Sequence, residues 1–184
     1  MNKVFKYLRF KLGLTKKLNI QDFKYLHKLK SEENRTHVIN FLKESLKIME
    51  DFEMKFAFET ALDAQETFDL MDTLNSSAVA VCYDTGNSAF FGHDIVTDID
   101  KLSDHLVEVH IKDHKNTDDN GNPIKSYNSV ALGTGDVDFE TVFEVLKKKN
   151  FSGTYILQMA RGTDHIGVAK TSRDFVQSFL KLMN

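Results

Sequence analysis

The sequence predicts an α/β domain built on a parallel sheet, and three observations predict it. Four short apolar runs, residues 55–59, 78–84, 106–110 and 154–158, have strand length and strand composition. A helix-like stretch separates each run from the next, and alternation of this kind requires a parallel sheet with helical crossovers. Each run also ends in a polar side chain able to bind a metal: Glu59, Asp84, His110 and Gln158. In parallel α/β folds the C-terminal strand ends open on one face, where ligands collect.

Taken in order, residues 1–30 form a basic N-terminal segment, with nine Lys/Arg against the single acid Asp22 and only weak periodicity. One or two short helices are expected there, set apart from a domain over residues 31–184. A start of this kind suits an anionic membrane surface or a solvated helix face. Its Lys-rich, Ser-poor character fits a transit peptide badly.

Ser31-Glu-Glu opens a stronger helix, with a capping hydroxyl and two acids at the positive end of the dipole. Val38, Phe41, Leu42, Ser45, Leu46 and Met49 then make one apolar stripe. After the aromatic-rich first strand, Asp63-Ala-Gln-Glu66 reads as a capping box. The helix it starts runs to about Leu74, with Ala64, Phe68, Met71 and Leu74 expected inward. The second strand leads to a loop over residues 85–96 and a short helix over 97–104. The third strand leads to a long polar loop over residues 112–136, a length that marks functional or mobile segments. Asp138 caps a helix reaching Lys149 with Val142, Phe143, Val145 and Leu146 apolar. Phe151-Ser-Gly153 turns into the last strand, and a closing helix over residues 167–182 presents Phe175, Phe179 and Leu182.

The totals set limits. A chain of 184 residues, 41% hydrophobic and 28% charged, is one ordinary domain able to bury a core. The lone cysteine, Cys82, sits in an apolar strand and reads as a buried small side chain. No internal disulfide can form, which suits a reducing compartment such as the cytoplasm. No apolar run reaches the roughly 20 residues needed for a transmembrane segment. Beyond residue 30 the chain carries 15 basic against 26 acidic groups, so its body offers no basic surface for nucleic acid.

Two carboxylates, an imidazole and an amide oxygen suit a divalent metal ion: Mn²⁺, Mg²⁺, Co²⁺ or Zn²⁺. Such an ion could hold neighbouring sugar oxygens, polarise a carbonyl and stabilise an enediolate, while a nearby carboxylate moves the proton. Alone, an acid at a strand end is more often a cap or loop anchor. Around the same face, Asn87, Lys112 and Arg161 are candidate substrate contacts, with turn residue or exposed loop charge as the plainer readings. Asp113 could orient a neighbour. The backbone of Gly133-Thr-Gly135 could cradle a phosphate, although Asp136 and Asp138 would repel it. His93 and His165 read as surface histidines.

Four motifs, Phe58-Glu-Thr60, Tyr83-Asp-Thr-Gly-Asn87, Val109-His-Ile-Lys-Asp113 and Val130-Ala-Leu-Gly-Thr-Gly-Asp-Val-Asp-Phe139, together resemble the sugar phosphate isomerase/epimerase family. This is the xylose-isomerase-like TIM-barrel group, which also contains endonuclease IV-type enzymes. The resemblance spans about residues 32–182 and implies a partial, half TIM-type barrel: the last four strands of eight. It implies metal ligands Glu59, Asp84 and His110, with Gln158 in a fourth position usually held by glutamate. Family isomerases and epimerases use two metal-bound glutamates as acid and base. Glu59 matches the catalytic one, whereas an amide has no accessible ionisation. The implied function is a metal-dependent sugar or sugar-phosphate isomerase/epimerase, either as a truncated form of a larger enzyme or as a half completed by another chain. The alternatives are a catalytically degenerate barrel fragment that binds a sugar or a partner and, ranked lower, an endonuclease IV-type phosphodiesterase. A half barrel leaves strand edges and an apolar interior open, so a homo-oligomer or a complementary half-barrel is expected to complete it.

Overall fold

The computed structural model describes residues 32–118, 120–124, 129–158 and 163–183. Residues 1–30, and with them the expected N-terminal helices, lie outside this set. Helix α1 (Glu32–Asp51) precedes β1 (Phe56–Phe58), α2 (Ala64–Leu74) and β2 (Val79–Asp84). Helices α3 (Thr85–Phe91) and α4 (Ile95–Leu102) and a 3₁₀ turn (Ser103–His105) lead into β3 (Leu106–Ile111). Then come β4 (Asp113–His114), β5 (Ser129–Val130), α5 (Phe139–Lys148), β6 (Thr154–Leu157) and α6 (His165–Met183). The four longer strands form one parallel sheet in the order β1-β2-β3-β6, so the expected alternation holds.

Successive side chains of a strand face opposite ways, and the two faces of this sheet differ. Val79, Val81, Tyr83, Val109, Ile111, Tyr155 and Leu157 pack into one core with α1, α2, α4, α5 and α6. Leu42, Leu46, Leu70, Ile99, Leu102, Phe143 and Leu146 fill it from the helices. Phe143 stacks on Phe179 at 4.9 Å and Phe139 meets Phe175 edge-on at 5.3 Å, which fixes α6 against α5. The opposite face carries Ala57, Ala80, Cys82, Asp84, Glu108, His110, Thr154, Ile156 and Gln158. It was expected to be apolar. Instead it is small and polar, with Ile156 its exposed large hydrophobic residue among the described positions. Outer strands β1 and β6 each have one ladder neighbour among the described strands.

The β2–β3 ladder slips by one residue. Val81 pairs with Leu106, but Cys82 pairs with Glu108 and Asp84 with His110. Continued without the slip, the register would set Asp84 beside Val109, a core residue. The extra residue in β3 therefore turns His110 to the same face as Asp84.

The capping box at α2 forms as expected: Asp63 Oδ1 accepts from the Glu66 N–H at 2.8 Å, and Glu66 Oε2 accepts from the Asp63 N–H at 3.2 Å. Asp63→Ala is expected to destabilise the protein by about 1 kcal/mol in urea unfolding. Asp98 of α4 adds a buried anchor, accepting from the Ala64 N–H at 3.1 Å and the Tyr83 hydroxyl at 3.0 Å. Burial raises the Tyr83 hydroxyl above its usual range, so it remains a donor.

Three local expectations change. Phe68 is not inward: it is 39% exposed and meets His105 edge-on, while Thr67 and Leu70 take the buried positions. The loop expected at 85–96 contains α3, because the Asp84 carboxylate accepts from the Asn87 N–H and caps a helix there. The long loop at 112–136 is pinned by the antiparallel β4–β5 pair and by Asp113. Asp113 is fully buried and accepts backbone N–H bonds from His114, Gly133, Gly135 and Val137 at 2.8–3.3 Å.

Candidate active site

The C-terminal ends of the four parallel strands bring Glu59, Asp84, His110 and Gln158 together. His110 Nδ1 lies 2.7 Å from Gln158 Nε2, 3.4 Å from Glu59 Oε2 and 3.9 Å from Asp84 Oδ2. Each position follows from its element. His110 and Gln158 share the polar face of neighbouring strands, and Glu59 leaves β1 in the turn before α2. Asp84 ends β2 and caps α3 through Oδ1, which leaves Oδ2 turned inward. That oxygen is buried and has no hydrogen-bond partner.

Asn87 and Lys112 join this group. The Asn87 amide donates to Glu59 Oε1 at 3.1 Å, and Lys112 Nζ lies 3.4 Å from Asn87 Oδ1 and 3.6 Å from Asp84 Oδ2. Asn87 therefore steadies Glu59 from the first turn of α3. Buried Thr85 fastens that turn to the end of β3: its hydroxyl lies 2.6 Å from the Lys112 carbonyl and accepts from the Lys112 N–H at 3.0 Å. Arg161 lies outside the described residues.

Below this tier sits a second one that the sequence reading did not single out. Glu108 Oε1 is 2.8 Å from His110 Nε2, and the Cys82 thiol is 3.5 Å from the same oxygen. The signal for Glu108 was available: Glu-x-His within a strand puts both side chains on one face. Cys82 is buried as expected, but it faces this site and not the helices. Glu59, Cys82 and His110 each offer a donor atom within 4.8 Å of the others. Burial, then the carboxylates of Glu59 and Glu108, push the Cys82 thiol well above its ordinary range. It serves as a protonated neighbour and not as a nucleophile.

The arrangement is rich in anions. Glu59, Asp84 and Glu108 surround one imidazole, and Lys112 is the ammonium that reaches Asp84. Partly buried carboxylates need a compensating cation or hydrogen bonds. A cation among Asp84 Oδ2, His110 Nδ1, Glu59 and the Gln158 amide oxygen would answer that need, with O and N donors of the kind hard and borderline divalent ions accept. Gln158 here turns its nitrogen to His110. Half a turn about its last side-chain bond would present the oxygen instead.

The other candidates fall elsewhere. The Gly133 and Gly135 N–H groups donate to Asp113 Oδ2 at 2.9 and 2.8 Å, so they are committed and do not form a phosphate cradle. Asp113 is thereby a loop anchor. His93 lies 3.7 Å from Asp98 and is largely buried, not a surface histidine. His165 starts α6 and is exposed.

Among curated proteins, the chain is 26% identical over 160 residues to the L-ribulose-5-phosphate 3-epimerase UlaE of Shigella boydii serotype 18. That match covers 80% of this chain and 52% of the relative, so the chain spans about half the length of the curated protein it matches. A xylose isomerase domain protein from Planctomyces limnophilus superposes with a TM-score of 0.71 at 19% identity, over 84% of this chain and 55% of that one. A zinc-bound IOLI protein superposes with a TM-score of 0.65 at 17% identity, over 83% and 58%. The xylose isomerase-like TIM barrel family matches residues 11–179, and the four parallel strands alternating with helices are a half barrel of that type: the chain belongs to this family.

Proposed function

We propose that this chain carries the metal-binding half of a sugar-phosphate epimerase or isomerase site. The observation that carries the reading is Asp84 Oδ2, buried without a hydrogen-bond partner and facing His110 Nδ1 at 3.9 Å. The epimerase relative supports a phosphorylated ketose as substrate. Asp84, His110, Glu59 and the Gln158 oxygen would hold a divalent ion, Mn²⁺, Mg²⁺, Co²⁺ or Zn²⁺. The ion would supply charge stabilisation for a substrate carbonyl and its developing oxyanion. Cys82 is set apart from these four by geometry: it lies one tier below them and its thiol is directed to Glu108.

Glu59, half-exposed toward the mouth of the strand ends, is the proton acceptor for the carbon beside the carbonyl, leaving an enediolate. Asn87 positions that carboxylate. Lys112, and Arg161 beyond the described residues, supply positive charge for a substrate hydroxyl or phosphate. Gln158 has no proton to give at neutral pH. Exchange therefore runs on one base among the described residues. The second acid/base group belongs to the part of the barrel that completes the sheet beyond β1 and β6, a second copy or a complementary half-barrel. With a single cysteine and no described helix long and apolar enough to cross a membrane, the reading places the chain in the cytoplasm.

A second reading has a specific observation behind it: Gln158, an amide that exchanges no proton, favours a chain that binds sugar or partner without turnover. One experiment separates the two. The purified chain is loaded with each ion and incubated with L-ribulose 5-phosphate in deuterated water. Metal-dependent deuterium uptake beside the carbonyl supports the enzyme reading, and an undenatured protein that retains no ion overturns the metal site. Gln158→Glu is expected to raise turnover. A parent with ion but no exchange, and a variant gain above about tenfold, favours the binding-only reading.

A further inference from the structure

Glu108 and His110 are two residues apart in β3 and face the same way, one tier apart on the polar side of the sheet. Glu108 Oε1 lies 2.8 Å from His110 Nε2. Its cross-strand neighbour Cys82 approaches the same oxygen at 3.5 Å and directs its thiol proton there. His110 is 8% exposed, so water does not compete freely for its ring nitrogens.

A neutral imidazole carries one N–H, and the group each nitrogen faces decides which one bears it. On the Nδ1 side Gln158 is nearest, at 2.7 Å, and is indifferent. Its amide can donate to a lone pair or, turned over, accept from an N–H. Glu59 Oε2 at 3.4 Å and Asp84 Oδ2 at 3.9 Å make ion-pair contacts with the ring and not hydrogen bonds. On the Nε2 side stands a carboxylate. It offers only oxygens, so a lone pair on Nε2 at 2.8 Å would face acceptor with acceptor. The proton therefore belongs on Nε2. The Nδ1 lone pair then points to Glu59, Asp84 and Gln158.

We propose that Glu108 is the positioning residue of this centre: it fixes the tautomer and tilt of His110 so that Nδ1 faces the ion. The inference rests on the metal-site reading above and deepens it. Glu108 touches neither ion nor substrate and acts through the imidazole. Partners of this kind commonly alter metal affinity by about 10- to 100-fold.

The test uses the full chain with Glu108→Gln and Glu108→Ala. Zn²⁺ and Mn²⁺ binding is measured by calorimetry. The His110 tautomer is read from long-range ¹H–¹⁵N spectra, with Zn²⁺ bound and in the metal-free protein at alkaline pH. The parent is expected to show a single Nε2–H tautomer in both states. Glu108→Gln, whose amide can donate or accept, is expected to show mixed tautomers in the metal-free state and affinity lower by about tenfold. Glu108→Ala is expected near the 100-fold end. A folded variant of either kind with parental affinity and a single Nε2–H tautomer overturns the proposal. So does an Nδ1–H tautomer in the metal-free parent. A parent that binds no ion sinks the metal-site reading alone, because the metal-free spectra still decide the role of Glu108.

Discussion

Asp84→Asn is expected to abolish stoichiometric divalent-ion binding while leaving the fold in place. Asparagine keeps an oxygen in the position of Oδ1, so the cap on α3 survives. What disappears is the negative charge on the buried Oδ2, the atom that faces His110 Nδ1 with no hydrogen-bond partner of its own. Loss of a direct charged ligand should exceed the roughly 10- to 100-fold that an outer partner is worth. The metal-free variant is expected to melt near the parent temperature, because relief among three crowded carboxylates offsets the lost Lys112 ion pair. Added ion should raise the parent melting temperature and not that of the variant, since only a state that binds ligand is stabilised by it. Calorimetry and melting curves with and without Zn²⁺ check both halves. Asp84→Ala should lose the ion and, in addition, about 1 kcal/mol of stability from the lost cap.

Asp113→Ala is expected to destabilise the protein as strongly as truncating a buried core aromatic, by about 3–5 kcal/mol. Asp113 is fully buried, and its two oxygens gather four backbone N–H groups from residues 114, 133, 135 and 137. Each donor stranded without water costs about 1–3 kcal/mol, less whatever the loop recovers by relaxing. Asp113→Asn should also be costly, because an amide NH₂ would face N–H donors. Gly135→Ala attacks the same node from the other side. Its Cβ would collide with Asp113 Oδ1 and with the His114 carbonyl oxygen, and the latter belongs to the backbone and cannot swing away. Urea unfolding reads these losses as a lower midpoint. A midpoint within 0.5 kcal/mol-equivalents of the parent, about the size of an ordinary surface change, would refute the assignment of Asp113 as the loop anchor.

Much of the fold was legible because its elements announce themselves locally. Helices α1, α2, α5 and α6 show apolar stripes at helical spacing, and Asp63 and Asp138 stand at cap positions that the structure fills. The strands show as short runs of apolar and aromatic residues bounded by turns. Once those runs are parallel, their polar last residues must share one end of the sheet, so Glu59, Asp84, His110 and Gln158 could be grouped before any geometry was known. Helix α3 was missed because its seven residues carry no apolar stripe, and the residue that caps it, Asp84, had already been assigned another task. Phe68 was misplaced because a capping box fixes where a helix starts and not which side the core will press. The roles of Glu108, Asp113 and Thr85 depend on hydrogen bonds between chain segments that only packing brings together, and the commitment of the Gly133 and Gly135 amides is of the same kind.

The slip between β2 and β3 has a consequence for how this gene can change. Loss of the Val107 codon would remove the extra residue and leave a regular ladder, with Cys82 still beside Glu108 and Asp84 still beside the histidine. Gain of a codon between Val109 and His110 would instead set the inserted residue beside Asp84 and turn the imidazole toward the helices. The strand can therefore lose a residue at Val107 more easily than it can gain one at its C-terminal end. An in-frame insertion there would part the histidine from Asp84 as surely as replacing it.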